Sequence, residues 1–174
     1  MTETFNTGET QESLRKEYNP DGSVLRLAQL RLLDMLDYLK ETAAEAGVTW
    51  RLDGGNVLGA LRHGGFIPWD DDVDIVVDYK DYGRFCTYLK RHPHPQYVLQ
   101  DNSTDPGYLK PWASLRDTKS EHISTEKENS RDRKALESMK YRGLHIDIFP
   151  YEDRILPRLQ RLAGKLACVV NFDL

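Results

Sequence analysis

The sequence predicts one domain in which helices and strands are interleaved, and three observations carry that expectation. Apolar residues recur every three to four positions from Ser23 until Gly47. Val48, Trp50 and Leu52 alternate with Thr49 and Arg51 and run into a glycine turn followed by a short apolar segment. Two further runs, Val73–Val77 and Leu144–Phe149, read as buried strands, yet each carries an aspartate.

The elements follow in chain order. Residues 1–22 are polar, without a period, and are expected to form a flexible arm, leaving one domain over 23–174. Ser23 caps a helix whose apolar positions are Leu27, Leu30, Leu33, Met35, Leu36, Tyr38, Leu39 and Ala43. A strand over 48–52, the turn Asp53-Gly54-Gly55-Asn56 and a short helix over 57–62 come next. His63-Gly64-Gly65 redirects the chain, and Phe66–Trp69 is expected to lead, extended, into the acidic strand. Asp78 caps a helix with Tyr79, Tyr82, Phe85, Cys86 and Leu89 on one face, stopped by His92-Pro93-His94-Pro95. Strands near 97–99 and 112–115 flank a turn at Asp105-Pro106-Gly107. The charge-dense stretch 119–142 is expected to be an exposed, mobile excursion, before the strand at 144–149 and a last helix over 156–170.

The totals bound the function. A chain of 174 residues, 39% hydrophobic and 30% charged, supports one core. Its net charge of −4 excludes a nonspecific nucleic-acid or anionic-membrane surface, which needs a basic excess. The two cysteines, Cys86 and Cys168, sit far apart in apolar contexts and read as free buried thiols. No leading hydrophobic run follows Met1 and no apolar stretch approaches ~18–20 residues, so no transmembrane segment is expected and the cytoplasm is the expected compartment.

The run Trp69-Asp70-Asp71-Asp72-Val73-Asp74-Ile75 carries the chemistry. In a strand, Asp72 and Asp74 share a face, ~6–7 Å apart, and at an effective dielectric of about 20 they repel by roughly 2–3 kcal/mol. A divalent cation removes that penalty, and oxygen donors suit Mg²⁺ or Mn²⁺ better than zinc. Asp147, between Ile146 and Ile148, faces the same difficulty and completes the set if its strand lies beside the first. For any one acid a salt-bridged edge position explains the residue as well; for all three together a shared cation explains more. Gly54-Gly55 offers backbone N–H groups to phosphate oxygens, and Arg62 and His63 are candidate phosphoryl contacts, with a solvated arginine the plain alternative. An EF-hand fails because its sixth position is Ile75 in place of glycine. Acids two apart on one strand are also too close to flank a sugar as a glycosidase pair.

The segments Asp53–Ile75 and Gly143–Pro150 resemble the LicD family of phosphotransferases, which includes fukutin-related proteins and belongs to the polymerase-beta-like nucleotidyltransferase superfamily. The resemblance implies an α/β (α+β) fold, a mixed sheet flanked by helices, with Asp72, Asp74 and Asp147 as metal ligands and Gly54, Gly55 and Asn56 near the donor phosphates. It implies transfer of a phospho-substituent, typically phosphocholine, from a CDP-linked donor to a glycan or lipid-linked glycan acceptor. Gly55-Asn56-Val57-Leu58-Gly59 stands where the family commonly has Gly-Thr-Leu-Leu-Gly, and the chain stops at Leu174 where members continue, so a shortened C-terminus is expected. Two other readings stay open: nucleotidyl transfer to a small molecule, and a catalytically silent module that binds metal and ligand.

Overall fold

The computed structural model describes residues 10–121, 134 and 136–152. Among the described residues nine elements follow one another: α1 (Gln11–Tyr18), α2 (Val24–Glu45), β1 (Trp50–Leu52), α3 (Gly54–His63), β2 (Val73–Asp78), α4 (Tyr79–Arg91), β3 (Tyr97–Gln100), β4 (Ala113–Asp117) and β5 (His145–Tyr151). The strands form one mixed sheet in the order β1-β2-β5-β4-β3. Its central pair, β2 and β5, is parallel, and every other pairing is antiparallel.

Strand alternation divides the sheet into two unlike faces. Val73, Ile75, Val77, Ile146, Ile148, Leu115 and Leu99 point to one side, where Leu32, Met35 and Leu39 of α2 and Phe85 and Leu89 of α4 cover them in one core. Fully burying side chains of this size stabilises the fold by about 1.5–3 kcal/mol each. The opposite face carries Asp74, Asp147, Ser114 and Gln100, which the register sets in a row across four strands.

The expected caps hold. Ser23 accepts a hydrogen bond from the Arg26 N–H at the start of α2, and Asp78 does the same for Lys80 in α4. The buried face of α2, however, is Gln29, Leu32, Met35, Leu39, Thr42 and Ala43, whereas Leu27, Leu30 and Leu33 are exposed. The stripe is rotated because Gln29 is more than a core filler: it accepts from Asn19 Nδ2 at 2.7 Å and donates to the Asp70 carbonyl at 2.8 Å. Those bonds turn a polar residue inward.

Two expectations are corrected. The supposed arm contains α1, which Thr10 and Ser13 start with a capping box and which buries Leu14. A single apolar anchor in a polar stretch leaves no period to detect. Phe66–Trp69 is not simply extended, since the Asp70 N–H closes a turn on the Ile67 carbonyl at 2.9 Å. This segment returns along α3, and a Cβ on Gly59 would stand 2.5 Å from the Gly65 carbonyl oxygen, so only glycine permits the approach.

Most of the expected excursion, 122–133 and 135, and the helix expected over 156–170 lie outside the described residues, as does Cys168. The described end of the excursion is tied down: Asp105 accepts from the backbone N–H groups of Lys140 and Tyr141 at 2.7 and 3.3 Å. Cys86 is buried with a free thiol. Among the described residues no helix is long and apolar enough to cross a membrane.

Candidate active site

Asp74 and Asp147 stand directly opposite each other on the parallel pair β2 and β5. Neighbouring strands lie ~4.8 Å apart, so two carboxylates on one face at this register are forced together. Burial raises the pKa of Asp74 first, and the charges of Asp72, Asp147 and Asp53 push it further, to about 6. Asp72, one residue before β2, is raised by burial and then by Asp71 and Asp147. The sequence-predicted trio is therefore one electrostatic cluster. The tightest oxygen grouping among the described residues is different: Asp70, Asp71 and Asp72 offer oxygens within 4.8 Å of one another. Asp70 is also raised, by burial and by its two acidic neighbours.

Asp147 sits apart from this pattern because it has partners. Lys110 Nζ lies 2.9 Å from its Oδ2, Ser114 Oγ donates to its Oδ1, and His145 Nε2 is 3.7 Å from Oδ1. Burial works to raise its pKa, but His145, Lys110 and the Ser114 hydroxyl outweigh that and hold the carboxyl below its usual value. Behind it, the Tyr108 hydroxyl donates to Ser114 Oγ at 2.6 Å, a buried relay. The sequence pattern did not point to Ser114 or Tyr108. A polar residue in the middle of the 112–115 strand was the available signal.

α3 begins beside the acids. Gly54 has φ +54°, a left-handed backbone that favours glycine, and a Cβ there would lie 3.9 Å from Asp74 Oδ2. A Cβ on Gly55 would lie 3.3 Å from Asp70 Oδ2. Asp53, at the N-cap, makes no side-chain cap, and its own N–H donates to the Asp74 carbonyl at 3.0 Å. The helix start therefore points positive dipole at the carboxylates. Asn56 joins the two elements: its Nδ2 donates to the Asp72 carbonyl at 3.0 Å, and its Oδ1 accepts from the Asp74 N–H at 2.6 Å. That amide is buried and engaged with β2 instead of standing open toward a ligand.

Arg62 and His63 are not brought to this place. They end a ten-residue helix, about 13 Å along its axis from Gly54. The Arg62 carbonyl accepts from Gln11 Nε2 at 2.9 Å, and His63 Nδ1 lies 2.5 Å from Gln11 Oε1. Burial and then Arg62 lower the His63 pKa. His63 instead lines a cavity of about 320 Å³ with Arg15, Asn19, Arg26, Leu36 and Phe66. Arg116 is likewise committed elsewhere, to Gln100 Oε1 and the Gly143 carbonyl, both at 2.8 Å.

Asp72, Asp74 and Asp147 form an all-oxygen donor set in which Lys110 only partly offsets the repulsion on Asp74, and oxygen donors of this kind suit a hard divalent ion. The profile described as LicD/FKTN/FKRP, nucleotidyltransferase domain, matches residues 47–158, more than half of the sequence, and the chain belongs to that family. It is 38% identical over 76 residues to the lipopolysaccharide cholinephosphotransferase LicD of Haemophilus influenzae, a match that covers 44% of this chain and 29% of that protein. It is 45% identical over 53 residues to the ribitol 5-phosphate transferases FKRP of Homo sapiens and Mus musculus, covering 30% of this chain and 10% of theirs. The chain thus spans under a third of the length of these relatives.

Proposed function

We propose that this domain transfers a phospho-substituent, phosphocholine in the first instance, from a CDP-linked donor to a hydroxyl of a glycan or lipid-linked glycan. The observation that carries the reading is the register pairing of Asp74 with Asp147 beside the glycine-led start of α3. The relatives' printed activities, cholinephosphotransfer and ribitol 5-phosphate transfer, support a phosphotransferase of this kind.

Asp72, Asp74 and Asp147 would hold Mg²⁺ or Mn²⁺. When bound, such an ion polarises phosphoryl oxygens and offsets charge on the leaving CMP. The chain's own residues do the rest. The first turn of α3, with no side chain at Gly54 or Gly55, admits phosphate oxygens to its N–H groups. Asn56 ties that turn to the backbone of Asp72 and Asp74. Asp147 also faces the sheet surface on which an acceptor hydroxyl would lie, within reach to orient it.

Incubation with Mg²⁺ and a panel of CDP-choline, CDP-glycerol and CDP-ribitol tests the proposal through CMP release. Wild type is expected to release CMP from at least one donor, and Asp74→Ala from none. The family's description as a nucleotidyltransferase domain favours a second reading, nucleotidyl transfer. Pyrophosphate released from a triphosphate, without CMP from any CDP donor, would establish that alternative. Neither product would leave a binding module.

A further inference from the structure

We propose that Lys110 is a donor-binding residue held in reserve: its ammonium neutralises Asp147 while the acid centre is empty, and it moves to the donor's phosphate oxygens when a divalent cation takes Asp147. The inference rests on the phosphotransfer reading and deepens it.

Lys110 Nζ lies 2.9 Å from Asp147 Oδ2, and its positive charge opposes the three acids acting on Asp74. It is therefore the described cation closest to where a metal would sit between β2 and β5. Its side chain is 32% exposed against 11% for Asp147, so the ammonium lies at the mouth of the site and the carboxylate at its floor. The chain is anchored on both sides of Lys110. Tyr108, fully buried, is bonded to Ser114, and Trp112 packs on Phe149 at a ring distance of 4.8 Å, with Lys110 Nζ 5.5 Å from the Trp112 ring. The neighbours are thus held in place while the Lys110 side chain can shift.

Lysine suits such an exchange. It is a compact point charge on a flexible stem, and three donors let it trade a carboxylate for a phosphate oxygen without a fixed approach angle. An arginine would grip Asp147 through two bonds and yield less readily. Among the described residues, Asp147 is the one of the three acids with a lysine, a hydroxyl and an imidazole beside it, and the lysine at the rim is the partner that a cation would displace.

Opposite substitutions test this. Lys110→Met keeps the length of the stem without the charge, and Lys110→Arg strengthens the grip on Asp147. Mn²⁺ binding without donor, followed by electron paramagnetic resonance, is expected to tighten about 3–10-fold in Lys110→Met and to weaken in Lys110→Arg. In CMP-release assays, Lys110→Met is expected to raise the donor KM at least 10-fold. Two variants moving Mn²⁺ affinity in opposite directions exclude general damage to the fold. Unchanged or weakened Mn²⁺ binding in Lys110→Met, or an unchanged donor KM, overturns the inference while leaving phosphotransfer intact. Wild type that binds no Mn²⁺ and releases no CMP overturns both.

Discussion

Replacing Asp74 with asparagine should make the metal-free protein more stable while removing its activity. The folded state raises the pKa of Asp74 to about 6, chiefly through burial and then through Asp72, Asp147 and Asp53. Against an unfolded value near 3.9 this is a destabilising charge of ~3 kcal/mol if the side chain were fully shielded. Asp74 is only half-buried, so solvent screening reduces the expected gain to about 1–1.5 kcal/mol. The sign follows from linkage. A raised folded pKa contributes stability that is complete below pH ~4 and is lost as pH rises through about 6, so the wild type carries the penalty at pH 8 and sheds it at low pH. Urea unfolding in EDTA should therefore show Asp74→Asn more stable at pH 8, by roughly 0.5 M in midpoint, and equal to wild type at pH 4. Mg²⁺ should narrow or reverse the difference at pH 8 by stabilising wild type alone. A variant less stable than wild type at pH 8 in EDTA would refute the reasoning, because it would mean that the carboxylate makes net favourable contacts.

Three further outcomes are expected. Asn56→Ala removes both bonds between α3 and β2 and leaves the Asp74 N–H without its partner, so unfolding should cost about 1–3 kcal/mol less, with Mn²⁺ affinity lowered; calorimetry and Mn²⁺ titration check both. Gly54→Ala strains a residue at φ +54° and should destabilise by about 1 kcal/mol, with a Mn²⁺ titration showing whether the added Cβ also disturbs Asp74. Ile148→Ala, at a fully buried position of β5, should destabilise by about 2–5 kcal/mol in urea unfolding and lower the yield of active protein while leaving the donor KM of the folded fraction unchanged.

Legibility in the sequence followed the strength of local pattern. The acids announced themselves because a carboxylate among Val73, Ile75, Ile146 and Ile148 is costly unless paired or bound to a cation, and the structure places Asp74 and Asp147 side by side. Ser23 and Asp78 were readable as caps because capping is decided within three residues. What was hidden depends on contacts distant in sequence. Gln29 turns inward only because Asn19 and the Asp70 carbonyl meet it there. Lys110 acquires a role only because β4 pairs with β5, which sets the 108–114 segment against Asp147. Arg62 and His63 were misleading for a geometric reason: eight residues from Gly54 is near in sequence but over two turns away along α3.

The row Asp74, Asp147, Ser114 and Gln100 also explains why chemistry belongs at one end of this face and not the other. At the β3 end, Gln100 donates to Asp105 at 2.6 Å and to the Tyr141 carbonyl at 2.9 Å, and accepts from Arg116 at 2.8 Å. The Gln100 amide is thus bonded through both of its polar atoms, and such a network rigidifies that end of the sheet. One strand over, Ser114 is paired on both sides, to Tyr108 and Asp147. At β5, Asp147 is held by Lys110 at the rim, by the Ser114 hydroxyl and by His145, and at β2 Asp74 feels three acids that Lys110 only partly offsets. Satisfaction thus falls steadily from β3 to β2, toward the glycine-led start of α3. On this face the carboxylates that stand opposed are those beside the start of α3, the edge of the sheet at which a bound cation and phosphate would relieve them.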